Sequence, residues 1–466
     1  MRGLSLKEIA EATKGSFIGE TKDEGRMISR VSIDSRQCGE GTLFVPLKGE
    51  NVDGHQYIDS AMEAGALVIS EQQLNFKCCP YVRVESTYQA IKDLAAYYLE
   101  QIRENLKIIG IIGSVGKTST KEMVASVLSQ QFKVLKTEGN FNNGLGVPLT
   151  IFRLTGEEDI AVIEMGISEF GEMRSLGSIV HPDIVIMTNI GSCHLETLQN
   201  REGVLQAKSE IFDCMRDDGV VILNGNDDML STIVDIKGNK PLFYRVKLDE
   251  EVYGVDRRET VAHSITDRGM EGVTATFLLS NNKHFDADIP LPGVHNVYNA
   301  LAAATVGDVL GMFTDDMKRG IESIKAVSGR NNILETGKLT IIDDCYNANP
   351  MSMRASLDVL EKSEARKVAI LGDMGELGAE ERKEHSELGL YAAFRNIDLF
   401  LVVGKLMNEF KGGYLSGAAQ GECIHYQSVV KLLSELGGRI RPGDTVLVKA
   451  SHFMGFSKIV EALKDY

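Results

Sequence analysis

One segment restricts the fold of this chain more than any other. The apolar run Lys107-Ile-Ile-Gly-Ile-Ile-Gly113 leads directly into Ser-Val-Gly-Lys-Thr-Ser119, and a helical pattern follows over 120–128. A continuous apolar run is typical of a strand buried in a parallel sheet. A glycine-rich turn between such a strand and a helix lets backbone N–H groups surround a phosphate. The segment therefore predicts a nucleotide-binding loop at the edge of a parallel sheet, with an ordinary glycine turn as the alternative.

The residues of this loop have separate expected tasks. Lys117 is placed to reach the terminal phosphates of a nucleotide, and Thr118 is placed to ligate Mg²⁺. The loop departs from the general phosphate-loop pattern at Ile111, which stands where that pattern has its first glycine. The candidate nucleotide-binding set is Gly113, Ser114, Val115, Gly116, Lys117, Thr118 and Ser119.

The rest of the chain repeats the order strand, loop, helix, which favours parallel βαβ units. Predicted strands lie at 133–136, 160–164, 184–188 and 220–223 in the middle of the chain, and at 339–342, 367–371, 399–403 and 445–448 towards its end. The segment 241–292 alternates apolar and polar residues, which predicts an antiparallel addition to the central sheet.

The length of 466 residues corresponds to about three domains at about 150 residues each. We predict an α/β protein with a small N-terminal α/β domain (1–85), a central phosphate-loop NTPase-like domain with a mostly parallel sheet (86–326) and a C-terminal Rossmann-like α/β domain (327–466).

Composition excludes several classes of protein. Hydrophobic residues make up 43% and charged residues 25% of the chain, which are ordinary globular values. No apolar run approaches the roughly 18–20 residues of a membrane helix, and the start of the chain reads as an amphipathic helix rather than a secretory signal. The formal charge of −16 argues against a nucleic-acid partner. Seven cysteines without a Cys-x-x-Cys pair predict reduced thiols, so we expect a cytoplasmic protein.

Two side chains follow predicted strands of the central sheet. Glu164 ends the strand at 160–164, and His194 follows the strand at 184–188. Ligands of open parallel sheets lie beyond the carboxyl ends of the strands, so both residues are candidate metal ligands near the loop. The alternatives are a solvated carboxylate at a strand end and a structural histidine.

Lys208 is the most informative single residue. In a helix predicted over 202–215, its neighbours three and four positions away are Val204, Leu205, Ile211 and Phe212, all apolar. Lysine is rarely buried without a partner, and burial lowers its pKa towards a neutral, reactive amine. We predict an amine beside the phosphate or metal site; the alternative is a stem that lies along apolar surface with its ammonium group in water.

Two further clusters complete the candidate nucleotide site. Asn296 and Asn299 lie at the start of a helix predicted over 296–310, where they either read a base edge or cap the helix. The run Ile341-Ile-Asp-Asp-Cys-Tyr-Asn-Ala-Asn-Pro350 places two carboxylates and two amides at a strand end. Adjacent carboxylates suit ribose hydroxyls or a cation, but Asn-Pro also marks ordinary loops.

This constellation of motifs resembles the Mur ligase family, ATP-dependent ligases that build the peptide stem of peptidoglycan, and the resemblance covers essentially the whole chain. The matching motifs are Asp34-Ser-Arg36, Asp53-Gly-His55, the phosphate loop, Gly139-Asn-Phe-Asn-Asn-Gly-Leu-Gly-Val-Pro148, Glu164-Met-Gly166, Thr188-Asn-Ile-Gly191, His194-Leu-Glu196, Ala207-Lys-Ser-Glu210, His295-Asn296 with Asn299, Gly329-Arg330, Tyr346-Asn-Ala-Asn-Pro350 and Gly372-Asp-Met-Gly-Glu-Leu-Gly378. The Asp34, Asp53 and Tyr346 motifs point to the member that joins D-Ala-D-Ala to a UDP-muramoyl tripeptide.

The resemblance implies a role for each matched residue. It implies a catalytic set of Lys117, Glu164, His194, Lys208 and Arg330, with Lys208 carbamylated and with Thr118, Glu164, His194 and Lys208 around two Mg²⁺ ions. It adds Asn143, Asn296, Asn299, Arg330, Asp344 and Asn347 to the ATP site. It assigns the UDP-sugar to Asp34, Ser35, Arg36, Asp53 and His55. It implies small-molecule substrates (ATP, the UDP-muramoyl tripeptide and D-Ala-D-Ala), no nucleic acid and no membrane insertion, and we expect a monomer.

The chain also departs from the family pattern at two places. Ile112 stands where the family has Thr, and Lys449-Ala-Ser-His452 stands where it has Lys-Gly-Ser-Arg. If that arginine binds the dipeptide or phosphates, His452 makes the contact pH-dependent or absent. The alternatives for function are a related ligase that adds another amino acid, including the folylpolyglutamate relatives, a phosphate-loop NTPase or kinase without ligase activity, and a non-catalytic relative.

Overall fold

The computed structural model describes residues 1–49, 51–74, 79–252 and 256–466. Within these residues the strands form three large sheets and one short pair, so the predicted α/β class is confirmed. No helix of this described part is long and apolar enough to cross a membrane.

The first sheet lies in the N-terminal part of the chain and has the order β2-β7-β6-β5-β4. Its strands are β2 (Ser16–Ile18), β4 (Arg30–Ser32), β5 (Thr42–Phe44), β6 (Leu67–Ser70) and β7 (Tyr81–Arg83), and a separate antiparallel pair joins β1 (Leu4–Ser5) to β3 (Met27–Ile28). The helices of this part are α1 (Leu6–Ala12) and α2 (Ile58–Glu63).

The second sheet has the order β16-β15-β14-β13-β12-β11-β8-β10-β9. Its strands are β8 (Lys107–Ile112), β9 (Val134–Lys136), β10 (Ile160–Glu164), β11 (Ile184–Met187), β12 (Val220–Asn224), β13 (Leu242–Val246), β14 (Glu259–Asp267), β15 (Val273–Leu278) and β16 (His284–Ile289). In this spatial order, every adjacent pair of strands from β14 to β9 is parallel. The loops after β8, β10 and β11 therefore meet at one edge of the sheet.

The segment 241–292 is only in part the antiparallel addition that its pattern predicts. β13 and β14 continue the parallel sheet, and only β14, β15 and β16 pair antiparallel. Residues 253–255 of this segment lie outside the described part of the chain. Buried and more exposed side chains alternate along β15 and β16, at one edge of the sheet. This pattern is expected for antiparallel strands with one solvated face.

Helices cover both faces of the central sheet. They are α3 (Thr87–Gln101), α4 (Lys117–Leu128), α5 (Gly146–Ile151), α6 (Glu172–Val180), α7 (Leu195–Leu198), α8 (Arg201–Ser209), α9 (His295–Val309) and α10 (Thr314–Glu322). One face packs under α4, α9 and α10. On the other face, buried side chains from Leu4 to Leu230 form one continuous core, so the N-terminal part and the central sheet share apolar packing.

The third sheet has the order β17-β18-β22-β19-β20-β21 and is parallel except for the pair β17–β18. Its strands are β17 (Asn332–Glu335), β18 (Thr340–Asp343), β19 (Lys367–Gly372), β20 (Leu399–Val403), β21 (Glu422–Tyr426) and β22 (Thr445–Lys449). Its helices are α11 (Pro350–Glu361), α12 (Glu381–Ala393), α13 (Met407–Ser416), α14 (Val429–Glu435) and α15 (Ser457–Lys464). The two core clusters of this part contain no fully buried side chain from the described residues before Leu339.

Candidate functional site

The loop after β8 adopts a conformation that requires glycine. Gly113 has φ +142° and Gly116 has φ +82°. A Cβ atom at Gly113 would lie 2.0 Å from Thr188 Oγ1, so no other residue fits there without displacing the neighbouring strand end. Gly116 is the N-cap of α4, and the free N–H groups of the first turn of α4 follow it.

The residues after β11 hold this loop in place. Thr188 Oγ1 donates to Val115 O (2.6 Å), and Val115 N donates to Asn189 Oδ1 (2.8 Å). Gly191 N donates to Ser114 Oγ (2.9 Å). The run 188–191 that matched the family therefore clamps the phosphate loop from the adjacent strand end.

Lys117 folds back on its own loop. Its Nζ donates to the carbonyl oxygens of Gly113 (2.9 Å) and Ser114 (3.3 Å). Burial lowers the pKa of the Lys117 ammonium group, and Glu164 opposes that effect. An anion beside the loop offers this ammonium group a stronger partner than two neutral carbonyl oxygens.

Glu164 ends β10 beside the loop and is 1% exposed. Its Oε1 accepts from Thr118 Oγ1 (3.1 Å) and Asn142 Nδ2 (2.8 Å). Its Oε2 is buried without a hydrogen-bond partner, 3.6 Å from Lys121 Nζ. An unpartnered carboxylate oxygen beside a threonine hydroxyl fits Mg²⁺, which takes few protein ligands and fills its shell with phosphate oxygens and water.

Lys121 was not identified from the sequence, although it lies one helical turn after Lys117. It is 1% exposed, and its Nζ lies 3.2 Å from Glu122 Oε1 as well as near Glu164. Lys136 pairs with the other oxygen of Glu122. Lys121 is therefore the buried counter-charge of Glu164, and the spacing of four residues from Lys117 was the available signal.

Arg330 approaches the loop from the C-terminal part of the chain. Its Nη2 donates to Thr118 Oγ1 (3.3 Å), and its guanidinium carbon lies 4.0 Å from the centroid of the Tyr346 ring. Stacking on the ring holds the guanidinium plane in a defined orientation. The ring of His452 is also close, with its centroid 5.6 Å from that of Tyr346.

Asp344 and Asn347 line the same cleft, and Asp344 has three partners within the protein. Its Oδ2 accepts from Lys449 Nζ (2.6 Å) and Ser356 Oγ (2.5 Å), and its Oδ1 accepts from the backbone N–H of Asn331 (3.2 Å). Burial lowers the pKa of the Lys449 ammonium group, and Asp344 opposes this. Lys449 was quoted from the sequence as the first residue of the Lys449–His452 run but was not identified as a site residue.

Asn296 and Asn299, the predicted base-reading amides, line the cleft together with Asn143, and the side chains of all three bond within the protein. Asn299 Oδ1 accepts from Thr120 Oγ1 (2.8 Å), and its Nδ2 donates to Asn296 Oδ1 (2.9 Å). Asn143 Oδ1 accepts from the backbone N–H of Gly146 (2.9 Å) in the first turn of α5. The capping alternative is wrong for Asn296 and Asn299, because the N-cap of α9 is Val294 and both amides lie inside the helix as a bonded pair.

His194 lines the cleft and is bound from the C-terminal part. Its Nδ1 lies 2.7 Å from Glu376 Oε2, and the hydrogen bond to His194 lowers the pKa of the Glu376 carboxyl. Glu376 was quoted within a family motif but not identified as a site residue.

Lys208 is buried as predicted, with 1% exposure, but the predicted helix over 202–215 is too long. α8 ends at Ser209 and a 3₁₀ turn, Glu210–Asp213, follows, so Lys208 lies in the last helical turn. Among the described residues no hydrogen bond or ion pair reaches its ammonium group. Burial lowers its pKa to about 8, and the charge of Lys117 acts in the same direction. Lys208 does not line the main cleft.

The candidate metal ligands do not form an all-protein cage. No group of three or more His, Cys, Asp or Glu side chains in the described part of the chain is arranged to hold a metal ion. Glu164 and Thr118 are the pair that is in contact. Any Mg²⁺ at this site depends on nucleotide phosphates for most of its ligands.

The residues implied for the UDP-sugar lie elsewhere. Asp34 caps the 3₁₀ turn Ser35–Gln37 and pairs with the exposed Arg36 (2.8 Å), and Asp53 accepts from the backbone and the ring of His55. His55 Nε2 is buried without a partner. None of Asp34, Ser35, Arg36, Asp53 and His55 is among the residues that line the main cleft.

The main cleft lies between the central and C-terminal sheets and has a cavity volume of about 580 Å³. It is lined by residues 114–119 of the phosphate loop and by Glu164, His194, Asn296, Asn299, Arg330, Asp344 and Asn347. This size is typical of a site for a nucleotide-sized ligand. Fold and cleft together define an α/β protein with a glycine loop of the phosphate-binding type in a cleft between two sheets, and this cleft is the candidate nucleotide site.

Comparison with known proteins gives the family. The model of the Mur ligase family catalytic domain matches residues 27–126, that of the Mur ligase middle domain matches 111–307, and that of the Mur ligase glutamate ligase domain matches 329–452. The chain belongs to the Mur ligase family, which confirms the resemblance inferred from the motifs.

Individual relatives match along nearly the whole chain. The UDP-N-acetylmuramoyl-tripeptide–D-alanyl-D-alanine ligase of Bacillus subtilis (strain 168) is 34% identical over 465 residues, 98% of each chain. The enzyme of that name from Escherichia coli (strain K12) is 34% identical over 96% of each chain. Among solved structures, MurF from Acinetobacter baumannii has a TM-score of 0.89 at 30% identity and covers both chains fully. MurF from Thermotoga maritima in complex with ADP has a TM-score of 0.80 at 28% identity, over 94% of this chain and 97% of that one.

Proposed function

We propose that this chain is an ATP-dependent ligase that adds D-alanyl-D-alanine to UDP-N-acetylmuramoyl tripeptide in peptidoglycan precursor synthesis. The observation that carries the proposal is the meeting of Lys117, Glu164 and Arg330 around Thr118 in one cleft. Relatives of that name, aligned over nearly the full chain, support the choice of substrates.

The chemical problem is to form an amide from a carboxylate, which is a poor electrophile. Attack of the tripeptide carboxylate on the γ-phosphorus of ATP gives an acyl phosphate and releases ADP. The amine of D-Ala-D-Ala then attacks the acyl carbon, and phosphate leaves with the electron pair of the C–O bond. The attacking amine gives up one proton to a base as the amide forms.

Each cationic residue of the cleft has a task in this sequence. Lys117 leaves the loop carbonyls to bind the terminal phosphates, and Arg330 brings a fixed guanidinium group to the transferring phosphoryl group. Because Arg330 comes from the C-terminal part, the phosphoryl group is fully neutralised only when that part lies against the phosphate loop.

Glu164 and Thr118 would hold Mg²⁺ with the nucleotide. A bound Mg²⁺ supplies charge neutralisation on the phosphoryl oxygens. The unpartnered oxygen of Glu164 is the protein's contribution, and Lys121 lies beside it as a buried counter-charge.

For Lys208 we propose carbamylation. A buried amine with a pKa of about 8 has a much larger neutral fraction at neutral pH than an ordinary lysine, and a neutral amine adds CO₂ to become a carbamate anion. The anion would relieve the repulsion between Lys208 and Lys117. Enzyme equilibrated with ¹³C-bicarbonate should show a carbamate carbon signal in NMR spectra that Lys208→Met lacks; a spectrum without that signal contradicts the modification.

The three parts of the chain would divide the work. In this proposal residues 1–85 hold the UDP-sugar through Asp34, Ser35, Arg36, Asp53 and His55, residues 86–326 hold ATP, and residues 327–466 close over it and bring the dipeptide. The separate cores of the C-terminal part support rigid-body movement of that part. Small-angle scattering should become more compact with an ATP analogue plus tripeptide substrate, and an unchanged profile would contradict closure.

Phosphate release tests the proposed reaction. Release should require ATP, UDP-muramoyl tripeptide and D-Ala-D-Ala together, and mass spectrometry should find the UDP-muramoyl pentapeptide. Phosphate release without the dipeptide would indicate an NTPase, and release with a single amino acid would indicate a different ligase. Tripeptide labelled with ¹⁸O in its terminal carboxylate should transfer one ¹⁸O to phosphate, because the acyl C–O bond breaks in the second step.

A further inference from the structure

One contact between the C-terminal part and the central sheet is unused in the mechanism above. The segment after β19 reaches across to the start of α7, where Glu376 Oε2 lies 2.7 Å from His194 Nδ1. Leu195 N donates to Glu376 O (3.0 Å). A Cβ at Gly378 would lie 3.2 Å from Glu196 Cα, so the two backbones approach closely.

The backbone on both sides of this contact is unusual. Glu376 has φ +63° and His194 has φ +52°, a left-handed conformation that residues other than glycine rarely adopt. Such conformations persist where the surroundings hold them. Here each residue is bonded to the other, so the two left-handed turns hold each other across the interface.

The contact decides how the imidazole of His194 is presented. An ionised carboxylate only accepts hydrogen bonds, so Nδ1 carries the proton and donates it to Glu376. Nε2 then carries the lone pair, and His194 lines the nucleotide cleft. Carboxylates that bind the second nitrogen of a ligating histidine fix both its tautomer and its ring orientation.

We propose that Glu376 is a positioning residue supplied across the interface, which fixes the tautomer and orientation of His194 when the C-terminal part docks. His194 therefore becomes competent for a nucleotide-bound divalent cation only in the docked arrangement. The expected effect on kcat rests on the proposed function. The contact between Glu376 and His194 does not depend on which amino acid the protein joins.

Exposure argues against a purely structural role. The Glu376 side chain is 58% exposed, and ion pairs of that exposure contribute little to stability. Removal of the carboxylate should therefore leave the unfolding temperature near that of the unaltered protein. If the variant without this carboxylate keeps its unfolding temperature but binds the cation more weakly, Glu376 acts by positioning His194.

The test measures Mn²⁺ binding by electron paramagnetic resonance in the presence of the non-hydrolysable analogue AMP-PNP, together with kcat and KM for ATP. Glu376→Ala should weaken Mn²⁺ binding by about 10- to 100-fold, the usual effect of removing such a partner, and lower kcat with little change in KM. Glu376→Gln should stay within about threefold, because its amide oxygen still accepts from Nδ1. Glu380→Ala is the matched control, since Glu380 lies in the same loop and pairs with Lys383 instead.

A double-mutant cycle tests whether Glu376 acts through His194. In a His194→Ala background, Glu376→Ala should have no further effect on Mn²⁺ binding. The proposal would be overturned if Glu376→Ala weakened Mn²⁺ binding as much in the His194→Ala background as in the unaltered protein. It would also be overturned if Glu380→Ala caused the same loss, or if Glu376→Ala left Mn²⁺ binding unchanged. If Glu376→Ala unfolds, Glu376→Met, which keeps the length of the side chain but has no acceptor for Nδ1, replaces it in both measurements and in the cycle. Weakened Mn²⁺ binding in a protein that lacks D-Ala-D-Ala ligase activity would sink only the proposed function.

Discussion

Two lysines on helices of the central part of the chain are equally buried, but replacing them by methionine should change the free energy of unfolding in opposite directions. Lys208 and Lys121 are each 1% exposed. No ion pair reaches Lys208 within the described residues, whereas Lys121 lies between Glu122 and Glu164. Replacement of each by methionine keeps the volume and removes the charge.

The expected gain for Lys208→Met follows from its pKa. The fall from 10.5 to about 8 on folding corresponds to a cost of about 3 kcal/mol for keeping this ammonium group buried. A group whose folded pKa is lowered in this way is charged in both states below pH 8, so the cost is fully present at pH 7. Between about pH 8 and 10.5 the unfolded chain binds more protons, so stability rises with pH until the cost has vanished.

Lys208→Met should therefore raise the free energy of unfolding at pH 7 by up to about 3 kcal/mol and lose most of this advantage at pH 10. Lys121→Met should lower it by about 3–5 kcal/mol, because it leaves the buried Glu164 without its counter-charge. The more stable Lys208→Met should have at least about tenfold lower ligase activity. In Lys208→Ala, short carboxylic acids should restore part of the lost activity.

The assay is urea unfolding followed by circular dichroism in CO₂-free buffers at pH 7 and pH 10, with transition slopes compared before midpoints. CO₂ is excluded because a carbamate would remove the cost that is being measured. Lys208→Met that is destabilised equally at both pH values would refute the reasoning, since it would mean that the amine contributes packing and no buried charge. The reasoning would also be refuted if Lys208→Met and Lys121→Met changed the free energy of unfolding in the same direction.

Three further outcomes are expected. Gly113→Ala should weaken binding of AMP-PNP by more than about 100-fold in calorimetry, because its Cβ would meet Thr188 Oγ1 at 2.0 Å, whereas Gly25→Ala, in open space, should bind normally. Glu164→Gln should raise the Mg²⁺ concentration for half-maximal activity by about tenfold or more, because a neutral amide replaces the ionised oxygen; an unchanged Mg²⁺ requirement would remove Glu164 from the metal site. Arg330→Met should lower the single-turnover rate by about 10²- to 10³-fold, because the guanidinium group over Tyr346 is lost, and a normal rate would show that Thr118 is its only target.

The phosphate loop could be located from the sequence because its chemistry is local. The strand, the glycine turn and the helix start lie within one short segment, and the structure places β8, the loop and α4 in that order. Burial of Lys208 was also predictable, since apolar neighbours at helical spacing need only the helical period. The end of its helix was not, because the 3₁₀ turn after Ser209 depends on tertiary packing.

The partners of the site residues were not predictable, because they come from distant parts of the chain. Nothing around Glu376 in the sequence indicates that its carboxylate meets His194, the N-cap of α7, which follows a strand of another sheet. The three partners of Asp344 likewise come from β22, α11 and the turn before β17. A single chain shows which residue types follow strands, but the distances between strand ends require the packed sheets.

The placement of charge around the cleft gives the site its selectivity. The chain carries a net charge of −16, so its overall field repels a nucleotide triphosphate. Lys121 and Lys449 are paired with buried carboxylates, whereas the ammonium group of Lys117 donates to carbonyl oxygens of its own loop. The unmatched positive charge therefore lies next to the phosphate loop, where burial prevents water and salt from screening it. A polyanion that reaches this loop gains the full interaction, while the acidic surface disfavours binding anywhere else.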